Sequence, residues 1–426
     1  MTSIDNPQQA TITIEVDYYD DNEKNALSKY SSSARITEVT SHILEIPLSE
    51  FLTYYLFHRK RPEKGGWINY QEISNNIEKA LKDLEDFVEF NGKSLSIPSD
   101  VESQIPHITE YIGESVGLSV VNRIHNLTEA DWVPIPKQSG MNAFKTFDYQ
   151  IASDASDNIQ VETKGSSVQD NRIKTTEIYT HKSKIKEKKG EIKKQEEDKS
   201  YPYPADIKYG TIVAIDYRQD GIVKCWLLDP TFDDYTASNP LNFKVINRIK
   251  FIRDWISFIS PRSQLSSALS TRVKALLSLK DIHELNNVPL IGGNNEPFRP
   301  RILGIRERWF MNKSHVIDGP HVGIVLQLSR DRLFFLGIRE ELIEMAVEQN
   351  FDKVVKYRAE PVFLKKTVKC VISQGQFKKF ELPPQLSNRV TRREQYVHFE
   401  LQGILHFSPG GIVFGTLPLK WPEMWR

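Results

Sequence analysis

Asp148, Glu162 and Lys164 are the residues of this sequence whose types and spacing point to chemistry. They lie in FDYQIASDASDNIQVETKG, which reads as two short strands, residues 146–152 and 159–164, joined by a polar turn over residues 153–158. Period-two alternation along the second strand sends Ile159, Val161 and Thr163 one way and Gln160, Glu162 and Lys164 the other. A carboxylate and an ammonium therefore leave the same face, and Gly165 is expected to end the run. Carboxylates on neighbouring strands suit a hard divalent cation with oxygen ligands, Mg2+ or Mn2+ in its place. Such an ion makes a bound water nucleophilic and neutralises charge growing on a phosphorane, which is what phosphodiester hydrolysis requires. Asp148 and Glu162 would hold the ion from two sides, with the backbone carbonyl of Thr163 as a third oxygen ligand. Lys164 would orient the attacking water or stabilise the phosphate.

Those strands need elements to position them. Upstream, Ile108, Ile112, Val116, Leu118, Val121 and Ile124 recur at near-helical spacing, which predicts an amphipathic helix from about Ile105 to His125. A short extended element over residues 131–136 follows, its prolines marking a sheet edge. Downstream, residues 172–199 carry Lys182, Lys184, Lys186, Lys188, Lys189, Lys193 and Lys194 among glutamates. The apolar residues there are too few for a buried helix, so a solvated helix is expected, or two short ones broken at Gly190. Two strands, residues 210–216 and 222–229, are joined through Gln219-Asp220-Gly221, whose Asp-Gly pair signals a hairpin.

On either side the pattern predicts accessory α+β domains. Residues 1–104 open with the alternating run Ala10–Val16, carry a helical pattern through Ile73, Ile77, Leu81, Leu84 and Val88, and are acidic around residues 17–23, which suits protein contact better than phosphate binding. Residues 236–426 read as a mixed domain with helices near 247–259 and 263–279 and strands near 333–337, 361–373 and 396–416. The central domain is residues 105–235.

With 426 residues, 39% of them hydrophobic, the chain can fill two or three ordinary cores. Lys+Arg 56 against Asp+Glu 56 leaves no net charge, so affinity for a polyanion has to come from local clusters. Two distant cysteines, Cys225 and Cys370, offer neither a zinc ribbon nor a disulfide scaffold, which fits a reducing cytoplasm. The first residues lack a signal-peptide pattern and no apolar run is long enough for a membrane span. No GxxxxGK(S/T) loop is present, so motor activity would belong to an ATPase or other regulatory partner.

The order helix, short strand, strand with Asp148, strand with Glu162-Thr163-Lys164, helix, strand resembles the PD-(D/E)xK nuclease superfamily, over residues 105–229. The resemblance implies an α/β restriction-endonuclease-like core, a mixed central sheet flanked by helices, and a metal-dependent nuclease for which DNA is the preferred substrate, because most relatives cut DNA, with RNA left open. It further implies that the helix before the strands supplies another acidic ligand, for which Glu114 matches and Glu110, one turn earlier, is the reserve. Phe147 stands where the namesake proline would be, and nothing downstream matches the Gln and Tyr of the RecB-like branch. By analogy alone, flanking domains of this size suit restriction or antiphage defence, with target recognition, homo-oligomerisation or control by another protein.

Competing readings attach to the same residues. Asp148, Glu162 and Lys164 could be a surface hairpin with an ordinary Glu–Lys pair. Lys182, Lys184, Lys186 and Lys188 either grip phosphates or pair with glutamates at i,i+4 along an exposed helix; Tyr179, His181, Lys182 and Lys184 lie nearest the site in sequence. The rival from another class is a catalytically inactive nucleic-acid-binding or assembly subunit that keeps the nuclease fold. His315 and His321 have no standard zinc spacing, Trp132, Trp226 and Trp255 read as core, and Arg299, Arg301, Arg306 and Arg308 form a basic strip.

Overall fold

The alternating run near the N-terminus forms β1 (Thr11–Tyr18), with Ile12, Ile14 and Val16 buried. The computed structural model describes residues 11–57, 70–98, 106–134, 147, 150–198, 205–217, 221–228, 239–259, 264–278, 311–312, 321–329, 332–348, 350–373, 391–393 and 396–418. The chain separates into two units, Met1–Tyr55 with Lys82–Asn247, and Leu56–Leu81 with Arg248–Arg426.

In the first unit β1 is followed by α1 (Asp21–Leu27), α2 (Ser33–Ser41) and β2 (Leu44–Pro47). Helices α3 (Leu48–Phe57) and α4 (Tyr70–Phe87) carry the chain out of this unit and back. A small hairpin, β3 (Glu89–Asn91) and β4 (Ser94–Ser96), precedes α5 (Pro106–His125), β5 (Val133–Pro134), β6 (Gln150–Ser153) and β7 (Asn158–Val168). Helix α6 (Thr176–Glu197) then leads to β8 (Ile207–Asp216) and β9 (Val223–Leu228). The strands make one mixed seven-stranded sheet in the order β2-β1-β9-β8-β7-β6-β5. β7 pairs antiparallel with β6 and parallel with β8, the parallel step being made possible by the α6 crossover. β8 and β9 pair antiparallel with Gly210 opposite Leu228, as the Asp-Gly signal predicted.

Three expectations need correction. The N-terminal segment is not a separate domain ending at 104: β1 lies parallel beside β9 with Ile14 opposite Val223, because its buried isoleucines extend the same sheet. Gly165 does not end its strand, since β7 runs on to Val168. The lysine-rich segment is neither fully solvated nor broken at Gly190. It is one helix whose Ile178, Ile185 and Ile192 are buried, spaced by seven residues and so aligned on one side. Ile178 and Ile185 pack with Tyr19, Val168, Ile212, Ala214, Trp226 and Leu228, each buried isoleucine contributing about 2 kcal/mol.

The two faces of β7 receive different helices. Gly113 and Gly117 of α5 meet the face that carries Thr163 and Gly165, while α6 covers the face of Glu162, Ser166 and Val168. The predicted alternation of Gln160, Glu162 and Lys164 against Ile159, Val161 and Thr163 is therefore the one the sheet displays.

The second unit contains most of α7 (Pro240–Ile259) and α8 (Gln264–Ser278), followed by an antiparallel sheet of seven strands. Its strands are β10 (Met311–Asn312), β11 (His321–Gln327), β12 (Arg332–Arg339), β13 (Val362–Ser373), β14 (Thr391–Arg393), β15 (Tyr396–Phe407) and β16 (Ile412–Pro418). Helices α9 (Glu340–Val347) and α10 (Phe351–Lys356) lie between β12 and β13 in sequence. The predicted mixture of helices and strands is present; the basic strip at 299–308 and His315 lie outside the described residues. Trp132, Trp226 and Trp255 are buried, as core residues should be.

Candidate functional site

Glu162 sits on β7, deep in the first unit's sheet, and its side chain is 1% exposed. Two ammonium groups hold its carboxylate. Lys164 Nζ, two residues along the same strand face, lies 2.6 Å from Oε1. Lys188 Nζ, reaching down from α6, donates to both Oε1 and Oε2 at 2.9 Å. A buried carboxylate is stable only when paired in this way. Lys188 is thus placed differently from the phosphate contact expected of it: it faces the proposed site rather than solvent.

The same face carries a second polar pair. Ser166 Oγ and His181 Nε2 are 3.0 Å apart, at the next same-face position of the strand beyond Lys164. Burial, then the charges of Lys164 and Lys184, lower the His181 pKa to about 4, so its imidazole is neutral at pH 7. Helix α6 runs antiparallel to β7, matching His181 with Ser166 and Lys188 with Glu162; beyond them Glu196 meets Lys208, the β8 residue opposite Gln160, at 2.8 Å.

Helix α5 carries Glu114, which is buried, and Glu110 one turn earlier. A Cβ added to Gly113 would lie 2.7 Å from the backbone of Gly165 and 3.0 Å from the carbonyl carbon of Lys164, so the Glu114 segment is seated against the Lys164–Gly165 backbone. Thr163 is buried with its side chain toward Gly117 of this helix. Asp148 lies outside the described residues. Its neighbour Phe147 is fully buried and packs with Ile192 of α6, one turn from Lys188. Among the described residues no group of three or more His, Cys, Asp and Glu side chains converges as a metal site.

The β6–β7 turn is fixed from both ends. Asp154 Oδ1 accepts from the amides of Ser156 and Asp157, each at 2.8 Å, and Ala155 takes a positive φ of 84°. Asp154 Oδ2 meets His125 Nδ1 at 2.8 Å, His125 Nε2 meets the Tyr209 hydroxyl at 2.9 Å, and that hydroxyl meets Ser32 Oγ at 3.1 Å. Burial opposes ionisation of Asp154, but His125 and the two amides outweigh it and hold its carboxyl below the ordinary value. This chain of four side chains ties the turn to α2, α5 and β8, and nothing in its sequence spacing announced it.

The remaining lysines divide. Lys182 pairs with Asp20 and, at 3.4 Å, with Glu23, and lies 4.1 Å from the centroid of the Tyr19 ring. Lys186 meets Glu23 at 3.1 Å. Lys184 is exposed, and Tyr179 is 56% exposed beside Tyr19. The acidic patch around residues 17–23 therefore pairs in part with α6.

The fold and site define a mixed α/β protein with a Glu–Lys pair on a central strand. Comparison with protein-family models, curated proteins and solved structures returns no match. No helix among the described residues is long and apolar enough to cross a membrane.

Proposed function

We propose that this chain is a divalent-metal-dependent nuclease with a restriction-endonuclease-like core, an endonuclease acting on DNA in a restriction or antiphage system. The observation that carries the reading is the Lys164 ammonium 2.6 Å from the buried Glu162 carboxylate, side by side on a strand in mid-sheet. The element order α5, β5, β6, β7, α6, β8 supports it. So does the chemistry of the donor set, since Glu162 already holds a cation with both oxygens.

When bound, Mg2+ would supply an acidified water and charge neutralisation at the phosphate. Glu162 would hold the ion, with Asp148 and the Thr163 carbonyl as further ligands; Glu114 belongs to α5, which packs on the opposite face of β7, so its carboxylate would have to pass the edge of the strand to join them. Lys164 orients the attacking water or stabilises the phosphate, and its distance from Glu162 suits that role. The reading makes a demand on the chain. The β6–β7 ladder pairs Gln150 with Val161, and directly opposed residues share a face. Unbroken continuation would oppose position 148 to Thr163, so a shared ion requires the ladder to open between 148 and 150.

One observation favours the second reading, an inactive nucleic-acid-binding or assembly subunit: Lys188 closes both Glu162 oxygens. The deciding experiment is Mg2+-dependent cleavage of plasmid, single-stranded DNA and RNA by the full chain, alone and with candidate ATPase partners, beside Glu162→Ala and Lys164→Ala. Cleavage by the parent that both changes abolish supports the nuclease. Nucleic-acid binding that survives both changes, without cutting by the parent, supports the subunit.

A further inference from the structure

The ammonium of Lys188 lies at equal 2.9 Å distances from Oε1 and Oε2 of Glu162, in the plane that divides the two oxygens. A bidentate ion is likewise shared equally by both oxygens, at roughly 2.1 Å for Mg2+. Lys164 approaches Oε1 at 2.6 Å, from the neighbouring position on the same strand face. We infer that Lys188 is a resident cation that competes with a divalent ion for the Glu162 carboxylate, so that metal binds only as this ammonium withdraws. The inference rests on the metal-site reading above and concerns its regulation.

Three features support competition over a fixed structural bridge. First, Glu162 is 1% exposed, so an ion and an ammonium sharing its oxygens would repel one another with little water between them. Second, Lys188 is 21% exposed at the end of a flexible four-carbon stem, which gives the ammonium a route to solvent. Third, its helix stays anchored without it, because Ile185 and Ile192 are buried on either side and His181 is held by Ser166. Displacing Lys188 thus costs an ion pair and leaves the helix seated. The exposed Lys184 lies one turn away on the same helix, so the withdrawn ammonium would enter a solvated surface.

The test is Mn2+ binding to the full chain without nucleic acid, read by electron paramagnetic resonance of free Mn2+ and by calorimetry. Lys188→Met and Lys188→Gln are expected to bind at least about tenfold tighter than the parent, since each removes a like charge from the ion's position. Lys188→Arg, which keeps the charge, should stay near the parent, and Glu162→Gln combined with Lys188→Met should lose the gain. If Lys188→Met does not fold by circular dichroism, Lys188→Gln carries the comparison. Unchanged or weaker binding in the neutral variants, with Glu162→Gln still weakening the parent, overturns the competition and leaves the metal site standing. Glu162→Gln binding Mn2+ as the parent does, or no binding by any form, removes the metal site and this inference with it.

Discussion

Gly113 and Gly165 meet with no room for a side chain on either: a Cβ on Gly113 would come 2.7 Å from the Gly165 Cα and amide nitrogen, and one on Gly165 would collide with the Thr109 carbonyl. Helix α5 is therefore pressed backbone to backbone onto β7 at the residue that follows Lys164. The position of Glu114 relative to the strand depends on this contact.

Substituting these glycines is expected to separate helix from strand. Gly113→Ala and Gly165→Ala should each destabilise by about 1 to 3 kcal/mol or more, because the obstacle is backbone and cannot rotate away. Gly190→Ala is the control: nothing lies within 4 Å of a Cβ there and the residue is inside a helix, so a gain of about 0.5 to 1 kcal/mol is expected. Urea unfolding of the three variants measures the contrast. Equal effects at Gly113 and Gly190 would contradict the close approach.

His181 gives a pH dependence of known sign. Its folded pKa is about 4 against an ordinary 6.5, so the unfolded chain binds the proton more readily. The contribution to stability is fully present above pH 6.5 and is lost as pH falls through 6.5 toward 4. His181→Gln should flatten the stability profile in that window and change little at pH 8, with the imidazole proton resonances of the parent checking the pKa directly.

The network at the β6–β7 turn predicts a stability loss from the removal of a single oxygen atom. Tyr209→Phe removes one hydroxyl that lies between His125 Nε2 and Ser32 Oγ in a buried site. Leaving those partners unsatisfied should cost about 1 to 3 kcal/mol, and amide hydrogen exchange in residues 153–158 should rise with it. Protection unchanged in the turn would mean the network does not secure it.

Much of this was legible in the sequence, and for reasons that can be named. Strand alternation sorted Glu162 and Lys164 from Thr163 correctly because the sheet is covered on both faces and the pleat admits only one sorting. The lysine-rich helix misled because its composition outweighed its pattern. Ile178, His181, Ile185, Lys188, Ile192 and Gln195 follow a spacing of three and four residues, and that stripe faces the sheet, with His181 and Lys188 supplying its polar contacts. Counting apolar residues missed it; reading the period through the polar positions would have found it. The joining of β1 to β9 was not readable, since a parallel pairing across some two hundred residues leaves no local mark. Nor was the His125–Tyr209 contact, which links residues far apart in the chain.

The lysines of α6 divide into two kinds, and nucleic-acid binding should divide with them. Lys182 is engaged by Asp20, Glu23 and the Tyr19 ring, and that pairing, against the opposing effect of burial, holds the Asp20 carboxyl below its ordinary value. Lys182→Ala should therefore lower stability by about 1 to 2 kcal/mol while leaving the salt dependence of binding nearly as it was. Lys184 is exposed, so Lys184→Ala should change stability by less than about 0.5 kcal/mol. If Lys184 neutralises a backbone phosphate, its loss should weaken binding to all sequences alike and reduce the slope of log affinity against log salt by about 1. Fluorescence anisotropy with a short duplex at several salt concentrations, beside thermal unfolding of the same variants, measures both. A salt slope that falls with Lys182 and not with Lys184 would mean that the acidic patch around Asp20 opens to release its lysine to the phosphate.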